Sequence, residues 1–108
     1  MNRGEAWWID FEPAIGGEIT KTRPAVIVSN NGANAALNRV IVVPLTSKTA
    51  KVFPGEAVVN VADSMSKALA SQLTTVSKAR LKNILGKVSD KDMKLIEKAV
   101  CTQLGLPV

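Results

Sequence analysis

Lys21-Thr22-Arg23-Pro24-Ala25-Val26-Ile27-Val28-Ser29-Asn30 sets an arginine at the mouth of a run of β-formers. Pro24 biases Arg23 towards extended backbone, and Ala25–Ser29 reads as a strand. Upstream, Gly16-Gly17-Glu18-Ile19-Thr20 belongs to a polar loop of about ten residues, long for a plain hairpin and of the kind that often carries function. Before it, Ala6–Phe11 reads as a first strand, with Trp7, Ile9 and Phe11 on one face and Trp8 and Asp10 on the other. Trp7 is expected in the core, and Trp8 at an interface or on the outer face rather than as a stacking platform for a base.

Downstream, Asn30–Asn34 is turn chemistry leading to a helical turn through Ala35-Ala36-Leu37. Val40-Ile41-Val42-Val43 is an apolar, β-branched run that reads as a central strand continuing to Thr46, with Pro44 expected at a strand end or a bulge. Pro54-Gly55 marks a turn, Glu56–Val61 a strand, Ala62–Lys67 a polar loop and Ala68–Val76 an imperfectly alternating strand. Ser77 caps a short helical turn, and Ile84–Val88 is a last strand. Ser89 and Asp92 form an imperfect capping box for a C-terminal helix, which Gly105 ends and Pro107 cannot continue. Met93, Ile96, Val100 and Leu104 give that helix one apolar face. Together these elements predict a mainly β single domain over residues 1–108: a small antiparallel β-barrel of five to seven strands with a C-terminal helix.

Composition narrows the chemistry. The chain of 108 residues has no histidine and one cysteine, Cys101. Histidine-based catalysis is excluded, a zinc site is not expected, and an internal disulfide is impossible. Cys101 is expected to be a small buried apolar residue of the helix. A lone cysteine suits a reducing cytoplasm. The first residues lack a signal-peptide core, and no apolar run approaches the roughly 20 residues of a membrane span. The net charge of +5 is uneven: residues 67–108 hold eight basic and three acidic side chains. Such a half suits a phosphate backbone or an acidic protein, or is simply a solvated surface.

If the two central strands pair antiparallel, Arg23 at the start of one lies beside Thr46 at the end of the other. A guanidinium fork fits phosphate oxygens in two-point fashion, and a threonine hydroxyl can donate to the same group. The competing reading is a surface arginine paired with Glu18 and a threonine that only makes a turn.

The ordered blocks Arg3-Gly4-Glu5, Gly17-Glu18, Lys21-Thr22-Arg23-Pro24-Ala25, Val43-Pro44-Leu45-Thr46-Ser47, Ala68-Leu69-Ala70-Ser71-Gln72 and Ile84-Leu85-Gly86-Lys87-Val88-Ser89 resemble the MazF/PemK family of toxin endoribonucleases, part of the superfamily of CcdB-like barrels. The likeness runs from about residue 3 to 106, with Thr-Arg-Pro and Pro-x-Thr together its most discriminating feature. It implies metal-independent cleavage of single-stranded RNA, in many members at a short specific sequence, by attack of a ribose 2′-hydroxyl on the adjacent phosphate. The implied products carry a 2′,3′-cyclic phosphate or 3′-phosphate and a free 5′-hydroxyl. Arg23 and Thr46 occupy the positions of the family's conserved pair, and Glu18 matches its loop glutamate. An arginine is a poor base at neutral pH because its protonated form dominates. Arg23 therefore suits stabilisation of the phosphorane, or relay of a proton to the leaving 5′-oxygen, with Thr46 anchoring an oxygen or joining that relay. The group that deprotonates the 2′-hydroxyl is left open: Glu18 is the carboxylate nearest to Arg23 in sequence, and orienting Arg23 is the role favoured for it. Lys21, Thr22, Ser47 and Gln72 are candidate RNA contacts.

The resemblance also implies a homodimer, no cofactor, and an acidic MazE-like antitoxin whose tail covers the basic surface. Two departures stand out: Ser71 replaces an aspartate of many relatives, and Thr22 stands where some have histidine. A gyrase poison of the CcdB type uses the same barrel but relies on a tryptophan near the chain end, where this chain has Leu104-Gly105-Leu106-Pro107-Val108. A catalytically silent RNA- or antitoxin-binding relative is the third reading.

Overall fold

The computed structural model describes residues 1–11 and 21–108. Its centre is the strand that the Val40–Val43 run predicts, β3 (Arg39–Thr46). In chain order the elements are β1 (Glu5–Asp10), β2 (Thr22–Ile27), α1 (Asn31–Ala36), β3, β4 (Glu56–Val61), β5 (Ser64–Leu69), β6 (Thr74–Ser77), β7 (Leu81–Lys87) and α2 (Asp90–Leu104). Short 3-10 turns at Ala70–Gln72 and Lys78–Arg80 flank β6. The strands form one curled sheet in the order β4-β5-β3-β2-β1-β7, with β6 also paired to β3. Every pairing is antiparallel.

Pro44 stands inside β3, not at a strand end. One edge of β3 pairs with β6 over Arg39–Val42 and with β5 over Leu45 and Thr46. The proline falls where that edge changes partner, a place where a missing N–H costs no ladder bond. On the other edge Ala25 faces Pro44, Val26 faces Val43 and Ile27 faces Val42.

The sheet buries a cluster on each face. Ile9, Ala25, Ile27, Val40, Val42, Val76 and Leu81 form one, with Trp7 and Phe11 packed against it as the alternation of β1 predicts. Ala6, Val26, Val43, Leu45, Val59, Val61 and Ala68 form the other, closed by Met93, Ile96 and Ala99 of α2. Ser89 caps α2 by accepting from the Asp92 N–H at 3.1 Å, and the Asp92 carboxylate accepts from the Asn60 N–H at 2.9 Å, fastening the helix to β4. Gly105 ends the helix in the left-handed conformation expected of it (φ 70°). The outermost strands β4 and β7 approach without laddering. A Cβ built on Gly86 would lie 3.4 Å from Val61 Cγ1, in van der Waals contact, so the two edges approach closely there.

Four further expectations need correction. The loop expected at Ala62–Lys67 is a hairpin, with only Ala62 and Asp63 between paired residues Val61 and Ser64. The strand expected at Ala68–Val76 is the end of β5, a 3-10 turn and β6. The buried stripe of α2 steps from Ile96 to Ala99, leaving Leu104 54% exposed; spacing by three residues drifts off a face drawn by four. Cys101 is only partly buried. Among the described residues no helix is long and apolar enough to cross a membrane.

Candidate functional site

The β2–β3 register is the source of the site. Continued two residues beyond Ala25 and Pro44, it sets Arg23 opposite Thr46, as the antiparallel expectation requires. Both line a cleft of about 460 Å³ at one open end of the half-barrel, together with Lys21, Thr22 and Ser47. Trp8 and Pro24, paired across β1 and β2, contribute to one wall. Val61, Ala62, Ser64, Met65 and Ser66 from the β4–β5 hairpin contribute to another, with Leu85 of β7 and Leu45 of β3.

The local backbone turns sharply into the site. Lys21 adopts φ 65° and Ala62 and Asp63 adopt φ 51° and 61°, left-handed values that cost a residue with a Cβ about 1 kcal/mol each. The Lys21 carbonyl accepts from the Phe11 N–H at 3.0 Å, which aligns the start of β2 with the end of β1. Thr46 Oγ1 accepts from the Lys48 N–H at 3.3 Å. Because a hydroxyl both accepts and donates, its own proton stays available for a ligand oxygen.

The described lining is electrostatically one-sided. It contains two cations, Lys21 and Arg23, five hydroxyls, from Thr22, Thr46, Ser47, Ser64 and Ser66, and no carboxylate. Such a lining suits an anion, and the apolar floor of Leu45, Val61 and Leu85 beside Trp8 suits a flat, partly apolar group attached to it. Among the described residues no group of three or more Asp, Glu or Cys gathers as metal ligands would.

Of the residues singled out from the sequence, Lys21, Thr22, Arg23, Thr46 and Ser47 come together. Gln72 sits in the 3-10 turn after β5 and is not among the residues lining the cleft. Ser71, in the same turn, is exposed. Glu18 lies outside the described residues. The sequence reading missed the hairpin wall because Ser64-Met65-Ser66-Lys67 lacks the apolar alternation of a strand, so the turn residue Asp63 merged with it into one polar loop. It placed Trp8 at an interface or outer face and did not connect it with the cleft, which the residue borders. The signal was present in the strand register, since Trp8 lies across from the Pro24 that follows Arg23.

Comparison with known proteins identifies the family and the fold. Residues 2–104 match the family described as the PemK-like, MazF-like toxin of type II toxin–antitoxin systems. The chain is 36% identical to endoribonuclease MazF9 of Mycobacterium tuberculosis, with 98% of each chain covered. It is 34% identical to endoribonuclease MazF of Staphylococcus saprophyticus, covering 98% of this chain and 92% of the relative. Among solved structures, an endoribonuclease in complex with its cognate antitoxin from a mycobacterial species superposes with a TM-score of 0.84 at 28% identity, covering 100% of this chain and 98% of the other. The half-barrel, its C-terminal helix and the match over nearly the whole chain lead to one assignment: this chain belongs to the PemK/MazF family of type II toxins.

Proposed function

We propose that this protein is the toxin of a toxin–antitoxin pair and a metal-independent endoribonuclease whose active site is the cleft at Arg23 and Thr46. The observation that carries the reading is the meeting of a guanidinium and a threonine hydroxyl in a cationic cleft whose described lining has no carboxylate. The two curated relatives covered over nearly their whole length carry the name endoribonuclease, and the antitoxin complex supports an inhibitory protein partner. Residues 1–108 act as one domain, in the cytoplasm and as a homodimer.

In this mechanism the 2′-hydroxyl of a bound ribonucleotide attacks the adjacent phosphorus and gives up its proton to solvent. The P–O bond to the 5′-oxygen of the next nucleotide breaks and that oxygen takes a proton from solvent, giving a 2′,3′-cyclic phosphate and a 5′-hydroxyl. Arg23 stabilises charge on the non-bridging oxygens through its paired N–H groups. Thr46 donates its hydroxyl proton as a hydrogen bond to one of those oxygens. Glu18 orients Arg23. Lys21 neutralises a flanking phosphate, a contribution blind to base identity, and Thr22 and Ser47 offer hydroxyls to the strand. Gln72 reads a nucleotide beyond the cleft. An acidic antitoxin segment occupies the same cationic lining and excludes RNA.

The deciding experiment incubates the purified protein with a long RNA in EDTA beside Arg23→Ala and Thr46→Ala. Cleavage by the parent and little by either variant is expected. Cleavage that vanishes in EDTA, or that survives both substitutions undiminished, would overturn the mechanism. Mapping the 5′ ends of the fragments then gives the sequence preference.

A further inference from the structure

Thr46 has a second cross-strand neighbour, Lys67 of β5. Lys67 is one of two polar residues buried in the described structure, at 9% exposure, and it faces Val58 of β4 on its other side. A lysine beside a proposed phosphate site invites a role in binding RNA. Its contacts point elsewhere. Lys67 Nζ donates to the Lys51 carbonyl at 2.6 Å and pairs with Glu56 Oε1 at 3.1 Å. That same Glu56 oxygen accepts from the Phe53 N–H at 2.9 Å, while the Glu56 N–H returns to the Phe53 carbonyl at 3.0 Å.

These contacts bear on the segment that joins β3 to β4, residues 47–55. It leaves the sheet at Thr46 and brings Ser47 into the cleft lining. It also carries two cations, Lys48 and Lys51, and two exposed apolar side chains, Val52 and Phe53. It has no strand of its own and little apolar burial at its tip, so its shape depends on polar tethers. Two of those tethers, at Lys51 and Phe53, converge on the Lys67–Glu56 pair. A half-buried ion pair with further hydrogen bonds to backbone is costly to break from one side, because the other charge is left uncompensated.

We propose that Lys67 and Glu56 are positioning residues: their ion pair clamps the segment 47–55 and so fixes Ser47, the residue through which that segment lines the RNA cleft, and neither touches the RNA. The inference rests on the reading of the cleft as an RNA site. Holding the segment in place before binding spares RNA the cost of ordering it. Breaking the clamp should therefore weaken binding more than it slows the chemical step.

The test uses Lys67→Met, Glu56→Gln and Lys67→Arg in the full chain, with two readouts. Limited trypsin digestion followed by mass analysis reports cutting after Lys48 and Lys51. Steady-state cleavage of a short RNA containing the mapped site reports KM and kcat. Lys67→Met and Glu56→Gln should each raise tryptic cutting at those two sites about tenfold and KM about tenfold, with kcat within threefold of the parent. Lys67→Arg should restore both to within threefold. The double variant should be no worse than Lys67→Met alone, since that change already removes both the ion pair and the Lys51 contact, and the amide introduced by Glu56→Gln can still accept from the Phe53 N–H. Glu56→Gln keeps the test available should Lys67→Met fail to fold. Wild-type tryptic protection in Glu56→Gln, or a loss confined to kcat with KM unchanged, would overturn the proposal. Failure of the RNA reading itself would appear separately, as full cleavage by Arg23→Ala, and the tryptic pattern would then decide the clamp alone.

Discussion

Arg23 and Thr46 differ in how replaceable they are. The arginine presents a planar fork whose N–H groups can meet two phosphate oxygens at once; a lysine presents one compact charge. If fork geometry stabilises the phosphorane, Arg23→Lys keeps the charge and still loses about 10²-fold in kcat, the scale of removing one preorganised oxyanion donor. For Thr46 the hydroxyl is the working group and the methyl is packing. Thr46→Ser should stay within about tenfold of the parent, whereas the isosteric Thr46→Val should fall by roughly 10²-fold. Single-turnover cleavage at saturating protein separates these effects from binding. A Thr46→Val variant as active as Thr46→Ser would remove the hydroxyl from the mechanism and leave Thr46 as the end of a strand.

The β4–β5 hairpin supplies much of the cleft and is the element held in the least favourable backbone. Ala62 and Asp63 both take positive φ, which two-residue hairpin loops require and which asparagine and glycine supply more readily than alanine. Ala62→Asn should therefore stabilise the fold by about 0.5–1 kcal/mol, raising the thermal midpoint by roughly 3–5 °C. A lowered midpoint would show that the Ala62 methyl, 3.8 Å from a Cβ built on Gly86, packs usefully at the seam. The same residues explain what was legible in the sequence. Strands with strong β-branched content, the Ser77 and Ser89 caps and the Gly105 stop were readable because each signal is local. The Arg23–Thr46 pairing was readable because antiparallel neighbours meet end to start. The second hairpin was hidden because Ser64-Met65-Ser66-Lys67 lacks apolar alternation, so the turn residue Asp63 read as part of a longer polar loop. Lys67 is buried through a partner eleven residues away in sequence, which no local pattern encodes. The wall position of Trp8 likewise depends on which end of the curled sheet is open.

At the scale of the whole molecule, two glutamates, at the starts of β1 and β4, couple fold integrity to pH. Burial works against ionisation of Glu5, but the Asn2 N–H, the Trp7 indole N–H, the terminal amine and Lys87 outweigh it and hold the carboxyl below its ordinary value of 4.5. Glu56 is also held below 4.5, first by the Phe53 N–H, against a smaller effect of burial, and then by Lys67. A carboxyl whose folded pKa is depressed takes up its proton more readily when the chain unfolds. Its contribution to stability is thus complete above about 4.5 and is lost as pH falls through the lowered folded value. Glu5 secures the amino-terminal segment beside β1 through Asn2, and Glu56 secures residues 47–55 through Phe53, so protonation loosens a terminus and the segment that carries Ser47 together. Urea unfolding of the parent and of a Glu5→Gln, Glu56→Gln double variant measures this directly. At pH 7 the variant should unfold at lower urea. Below pH 4.5 the gap between the two midpoints should narrow steadily and approach zero once both carboxyls are protonated in the folded parent. A gap that stays constant from pH 7 to 3 would show that the two side chains stabilise the fold by packing and hydrogen-bond geometry rather than by charge.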